Sequence, residues 1–146
     1  MREIIFRGKS VNDGKWYEGS YISMLKREYI ADVQFHDIEE IKIEKAMNEV
    51  DPESLGQFTG MVDQHGTKVF EGDICEVTLP NGDTEVMLVL WNERMNKYQL
   101  KYRNGNHCSF YKWAGYKVIG NIHDDPDLID DQASAEKKET TDAGSN

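Results

Sequence analysis

The segment that decides the fold spans residues 68–91 and reads KVFEGDICEVTLPNGDTEVMLVLW. Residues 74–79 alternate apolar with polar side chains, which is the period of a strand with one buried face. Residues 80–83 follow, and the Asn81-Gly82 pair at their centre is a hairpin-turn signal. Residues 85–91 are rich in β-forming side chains and return as a second strand. We therefore predict an antiparallel hairpin here.

The same signals recur along the chain at short intervals. Residues 2–23 predict an N-terminal hairpin with Asp13-Gly14 in its turn and Trp16 as its core anchor. Further β-prone runs occupy residues 57–63, 97–103 and 116–122. Short strands separated by Gly-containing turns favour a small barrel or roll. We expect a mostly β protein, with an N-terminal β region at residues 1–56 and a barrel region at residues 57–129.

Residues 28–50 leave two alternatives open. Residues 29–35 predict an extended segment, whereas Ile43, Ala46, Met47 and Val50 have helical spacing, although short strands fit this stretch as well. The Asp51-Pro52 pair that follows is a helix-start signal. The Asp side chain caps the first backbone N–H groups of a helix, and the N–H that Pro lacks would have no partner within the helix at its first position. Gly56 ends that helix within about one turn, so residues 51–56 predict a short connector.

The negative charge of the chain is concentrated near its C-terminus. The net charge is −10, and residues 124–146 contain eight acidic residues against two lysines. No apolar residue larger than alanine follows Ile129, so we expect residues 130–146 to form a disordered acidic tail. Mean hydropathy is −0.70, no apolar run approaches the roughly 20 residues of a membrane span, and the N-terminus lacks signal-peptide features. These properties predict a soluble cytoplasmic protein without membrane contact.

Motifs spread over residues 2–129 resemble the YopX family. They are Arg2-Glu3-Ile4-Ile5-Phe6-Arg7-Gly8, Val50-Asp51-Pro52-Glu53-Ser54-Leu55-Gly56-Gln57-Phe58-Thr59-Gly60, Glu71-Gly72-Asp73-Ile74 and Val118-Ile119-Gly120-Asn121-Ile122. The resemblance implies an SH3-like barrel after the N-terminal β region, and an accessory protein of phages and prophages in a bacterial host cell. It supplies no catalytic residues. We interpret the signature residues as structural, at turns and close backbone approaches; they are Trp16, Asp51, Pro52, Gly56, Gly60, Gly72 and Asp73.

Groupings typical of catalysis or metal binding are weak in this sequence. Glu71 and Asp73 flank a turn glycine, which fits turn chemistry better than acid–base catalysis. Cys75 and Cys108 lack the close-pair spacing of structural zinc sites, and we expect both thiols to be free. Gly-rich phosphate motifs are absent. We therefore expect no enzymatic activity, no metal site and no cofactor.

One segment combines positive charge with aromatic side chains. Residues 94–117 contain six Lys or Arg residues, no Asp or Glu, and six interleaved aromatic residues. Period-two alternation places four side chains on one face of a predicted strand: Lys97, Gln99, Lys101 and Arg103. With Lys112 and Trp113, the cationic members are candidates for binding nucleic acid or another anion. The alternative is a solvated strand whose lysines discourage edge-to-edge pairing.

Two functions of different classes follow from these patterns. The first is a phage accessory protein that binds a protein partner through strand edges and loops. The second is a nucleic-acid-binding module centred on residues 94–117, whose affinity would fall with salt. In either case we expect the tethered acidic tail to compete with anions for the basic surface. Exposed strand edges also leave a homo-oligomer open.

Overall fold

The computed structural model describes residues 1–32, 47–110 and 115–130. These residues form eleven β-strands and two short 3-10 helices, and they contain no α-helix. The prediction of a mostly β protein is therefore confirmed. None of the helices in the described ranges has the length and hydrophobicity that crossing a membrane requires. The helix-or-strand alternative for residues 43–46 and the tail predicted after Asp130 lie outside the described residues.

The strands form two antiparallel sheets. In chain order they are β1 Phe6–Lys9, β2 Trp16–Met24, β3 Arg27–Ala31, β4 Met47–Val50, β5 Gly56–Val62, β6 Lys68–Phe70, β7 Asp73–Thr78, β8 Thr84–Asn92, β9 Lys97–Tyr102, β10 His107–Cys108 and β11 Gly115–Asn121. One sheet has the order β4-β3-β2-β1-β5-β6 and the other β10-β9-β8-β7-β11. Neither sheet closes into a barrel within the described residues.

The chain divides into two compact units, Met1–Met61 and Val62–Asn146. The first unit contains the predicted N-terminal hairpin, in which β1 pairs with β2 and Lys9 lies opposite Trp16. Trp16 is only partly buried, and the Arg7 guanidinium lies 4.9 Å above its ring. Trp16 is therefore half-buried against a half-buried cation and, contrary to the prediction, is not among the core residues of this unit.

The core of the first unit lies where β3 and β4 face the start of the chain. Ile30 and Val50 are fully buried, and a Cβ on Gly8 would lie 2.7–2.9 Å from the Val50 side chain. Residues 47–50 pair with β3 as a strand rather than continuing a helix. The outer edge of β4 is met by the end of β1, since Ser10 bridges Val50. This pairing protects an edge that would otherwise offer free backbone groups.

The connector predicted after β4 is present as a 3-10 helix, Pro52–Ser54. Asp51 caps it by accepting a hydrogen bond from the Glu53 N–H at 3.0 Å, and the Ser54 hydroxyl accepts one from the Lys9 N–H at 2.8 Å. The helix is therefore fixed to β1 as well as capped.

The second unit contains the hairpin predicted for residues 74–91. β7 pairs with β8, with Ile74 opposite Leu88 and Thr78 opposite Thr84. The inward side chains of the two strands are almost fully buried, and each such side chain contributes about 1.5–3 kcal/mol to folding; they are Cys75, Val77, Met87 and Val89. β7 also pairs with β11, the last strand of the chain. Gly72 has φ +91° at the turn into β7, where a side chain would strain the backbone.

Candidate functional site

The strand predicted to carry the basic residues is β9, which lies between β8 and β10. Lys101 is opposite Leu88 on one side and His107 on the other. Because directly opposite residues share a face of a sheet, Lys97, Lys101 and His107 lie on the same side. The other side of β9 carries Leu100, which is buried against the core. We call the side with Lys97, Lys101 and His107, together with Arg94 and Arg103 next to β9, the basic face.

An open groove of about 400 Å³ lies beside the basic face. Its lining combines one cation, one anion, one imidazole and two large apolar side chains; it consists of Leu90, Trp91, Asn92, Glu93, Arg94 and His107. A mixed lining of this kind suits an extended polar ligand better than an apolar small molecule, because few of its groups gain from complete dehydration.

Asn92 fixes the turn that borders this groove. Its side-chain oxygen accepts hydrogen bonds from the N–H groups of Arg94 at 3.0 Å and Met95 at 3.3 Å. Its amide nitrogen donates to the Gln99 side-chain oxygen at 2.7 Å. Gln99 lies on the same side of β9 as Lys97 and Lys101, as alternation predicts. It is nevertheless only 7 % exposed, because that side of the strand is partly covered and its amide is held by Asn92.

Aromatic side chains lie at the turn end of the β8–β9 hairpin. Trp91 and Tyr98 pack edge to face, with ring centroids 5.0 Å apart and an interplanar angle of 72°. Trp91 is 41 % exposed and also lines the groove. A partly exposed indole next to Arg94 provides a stacking surface beside a cation, which is an arrangement that both proteins and nucleobases can use.

The structure places three of the predicted site residues together and gives two of them partners. Lys97 Nζ donates to the Ser109 hydroxyl at 3.1 Å. The Arg103 guanidinium donates through Nη2 and Nε to the Leu128 carbonyl, at 2.8 and 3.2 Å. Arg103 therefore holds the segment that precedes Asp130, and Lys101 lies between the two. Lys112 and Trp113 lie outside the described residues.

The residues interpreted as a structural signature are spread over both units at turns and strand ends. Asp51 caps the 3-10 helix as described, and the buried Asp73 carboxylate accepts the Phe70 N–H at 2.8 Å. Gly60 and Gly72 have positive φ angles of 87° and 91°. The Asp51 and Asp73 carboxylates therefore satisfy backbone N–H groups of their own turns, and the two glycines adopt backbone angles that other residues would strain.

Asp63 is a central residue to which the sequence interpretation gave no role. Its carboxylate accepts three backbone N–H bonds, from His65 at 2.8 Å, Thr67 at 2.9 Å and Val118 at 3.1 Å. Burial raises the pKa of this carboxyl, but the three donors outweigh burial and hold the pKa below its ordinary value. The one signal in the sequence is Gly66, which has φ +80° in the same turn.

The two cysteines lie on β7 and β10, with β8 and β9 between them. At about 4.8 Å per strand, that separation is too large for a disulfide, and both thiols are free. Burial raises the pKa of the Cys108 thiol. Among the described residues, no group of three or more His, Cys, Asp or Glu side chains is placed to hold a metal ion.

Fold and surface together define a small protein of antiparallel β-strands in two compact units, with a basic face and an open groove on the second. The YopX protein family matches residues 5–130. The chain therefore belongs to the YopX family. A search of curated proteins gave no match.

One solved structure with a similar fold is the crystal structure of protein EF1440 from Enterococcus faecalis. The two chains are 17 % identical, the match covers 89 % of this chain and all of that one, and the TM-score is 0.53. At this level of identity the likeness shows the fold alone.

Proposed function

We propose that this chain is a non-enzymatic accessory protein of phages or prophages that acts in the bacterial cytoplasm by binding an acidic segment of a protein partner. The open groove next to the basic face is the observation that carries the proposal. Arg94 supplies positive charge in its lining, Lys101 lies beside His107 on the adjoining basic face, and Trp91 supplies partly exposed apolar area. Arg and Trp are the side chains most often found at the energetic centre of protein interfaces.

We also propose that the second unit is the SH3-like barrel that the family resemblance implies. The first strand of its sheet, β7, lies between the second strand β8 and the last strand β11. The outer strands β10 and β11 are joined by only six residues, 109–114, which span at most about 25 Å. This order and this short connection support a partly open barrel, which would present the basic face on its outer surface.

The test compares two charge-reversal variants of the full chain. The variant Lys97→Glu/Lys101→Glu reverses the centre of the basic face. The control Lys117→Glu reverses an exposed lysine on β11, three strands away in the same sheet. In pull-downs from bacterial lysate, the proposal expects a stoichiometric protein that the wild type and the Lys117 variant retain and the double variant loses. Equal retention of the partner by all three proteins would show that the basic face does not bind it.

The second candidate function is binding of single-stranded nucleic acid. The specific observation in its favour is the Trp91–Tyr98 pair at the groove, since bases stack on exposed aromatic rings while cations follow the phosphates. Fluorescence anisotropy of labelled DNA and RNA, at low and at physiological salt, tests it. Affinity that falls with salt and is lost in the double variant, but not in the Lys117 variant, would establish this function. No binding at low salt would exclude it.

A further inference from the structure

The β2–β3 hairpin ends in a turn whose residues are unsuited to its geometry. Met24 pairs with Arg27, so Leu25 and Lys26 alone form the loop. Their φ angles are 52° and 62°, which makes both left-handed. A two-residue loop with two positive φ angles is the type I′ turn, and it favours Asn-Gly because other side chains are strained there.

Two other hairpins of the chain avoid this strain by longer loops with glycine at the left-handed position. In the β7–β8 and β9–β10 loops that residue is Gly82 and Gly105, each with φ of 88°. The β2–β3 turn instead carries an apolar side chain at its most protruding position. Leu25 is 87 % exposed and Met24 is 46 % exposed. The strained backbone at Leu25 and Lys26 and the exposed Leu25 side chain both lower the stability of the fold. A hairpin could form without either of them.

The charges around this tip are arranged asymmetrically. Glu28 is held within its own hairpin, because the Tyr21 hydroxyl donates to it at 2.6 Å and the Ser23 hydroxyl at 3.1 Å. Lys26 is exposed at the turn, and the Arg27 guanidinium is 3.8 Å from the Glu49 carboxylate with its side chain 64 % exposed. The tip therefore offers an apolar end with two cations behind it.

From these observations we infer that residues 24–27, the hairpin tip, insert into an apolar pocket on a protein partner whose rim carries carboxylates. A narrow two-strand projection reaches a pocket that a flat sheet face cannot enter, and Lys26 and Arg27 complement acidic groups at its rim. A protein partner is favoured over a lipid bilayer, because the exposed Leu25 and the half-exposed Met24 present too little apolar area for stable insertion into a membrane. The net charge of −10 also opposes anionic lipid. This surface lies in the first unit and does not depend on the function proposed for the basic face.

The test places a photo-reactive benzophenone amino acid at Lys26, which leaves Leu25 intact, and at Asn81 in the β7–β8 turn as a matched control. Cross-linking is done in extracts of the bacterium that carries the gene, with excess unlabelled competitor. We expect a discrete protein product from position 26 that position 81 does not give. Leu25→Asp should compete at least about tenfold less well than wild type, which is the change expected for a hot-spot side chain.

Three further arms make the result decisive. The double variant Leu25→Asn/Lys26→Gly installs the favoured turn, so it should melt at a higher temperature than wild type and yet compete as poorly as Leu25→Asp. Lys97→Glu/Lys101→Glu should compete as wild type does, which separates this inference from the proposed function. Failure to obtain a product specific to position 26, or full competition by Leu25→Asp, would overturn the inference. So would Leu25-dependent sedimentation with phosphatidylglycerol–phosphatidylcholine vesicles, because it would assign the tip to a membrane.

Discussion

Asp63 offers the sharpest test of how the second unit is held together. Its carboxylate joins the turn at residues 63–67 to the last strand through the Val118 N–H. Hydrogen bonds to a charged group contribute about 1.5–3 kcal/mol each, and a buried donor left unpaired costs about 1–3 kcal/mol. The N–H groups of His65 and Thr67 lie in an exposed turn and regain water, whereas that of Val118 is partly buried. Asp63→Ala should therefore lower the free energy of unfolding by about 3–4 kcal/mol.

The isosteric variant separates charge from shape. Asp63→Asn keeps one acceptor oxygen for the turn but presents an NH₂ group toward the Val118 N–H, so we expect a loss of about 2 kcal/mol. Urea denaturation at neutral pH measures both variants. Asp83→Ala is the control, because Asp83 is an exposed turn carboxylate that accepts a local hydrogen bond from the Asn81 side chain. Its removal should change stability by less than about 0.5 kcal/mol.

The pH dependence of Asp63 has a definite sign. The folded-state pKa of Asp63 is lowered, so its contribution is complete above the unfolded pKa of about 3.9 and is lost as pH falls through the lower folded value. The stability gap between wild type and Asp63→Asn should therefore shrink as the pH falls from about 5 through the unfolded pKa of about 3.9 and below it. A gap that stays constant over this range, or an Asp63→Ala loss no larger than that of Asp83→Ala, would refute the assignment.

Three other predictions concern glycine packing, thiol reactivity and the Arg103 contact. A Cβ on Gly19 would collide with the Ala31 carbonyl oxygen, so Gly19→Ala should cost at least about 3 kcal/mol in urea denaturation, while Gly14→Ala, with open space at φ +70°, should cost about 1 kcal/mol. Cys75 is fully buried and should react with iodoacetamide only in denaturant. Cys108, whose thiol pKa is raised by burial, should react at neutral pH but more slowly than a model thiol, and mass spectrometry distinguishes the two. Arg103→Lys loses the two-donor contact to the Leu128 carbonyl. Carboxypeptidase should therefore trim the variant past Leu128 faster than wild type. Equal trimming of the two proteins would show that Arg103 does not hold that segment.

Local chemistry is the part of this fold that the sequence predicted well. The Asp51 cap and the residues 74–91 hairpin follow from interactions within a few residues, and a single chain shows those directly. The β2–β3 hairpin was missed because Leu25-Lys26 carries none of the usual turn residues. Its geometry follows from the pairing of the long flanking strands, which overrides the local preference of the turn.

The candidate site was predictable as a set of charges but not as a surface. Alternation correctly placed Lys97 and Lys101 on one side of β9, because a strand has a fixed period of two. It could not show that Gln99 is covered there, nor that Arg103 holds a carbonyl 25 residues further along the chain. Such contacts depend on how distant segments meet, and period alone carries no information about that.

The pairing of β7 with β11 has a consequence for the order in which a growing chain folds. Strands β1 to β4 are neighbours in sequence as well as in the sheet, apart from the bridge between Ser10 and Val50. The second partner of β1 comes much later, since Phe6 pairs with Gln57 of β5 about 50 residues further on. β7 must wait about 40 residues for its second partner, and the Asp63 carboxylate waits 55 residues for the Val118 amide. Until these partners have emerged, β1 and β7 each have one unpaired edge that other nascent chains can reach, so synthesis rate and chaperone access affect the yield of both units.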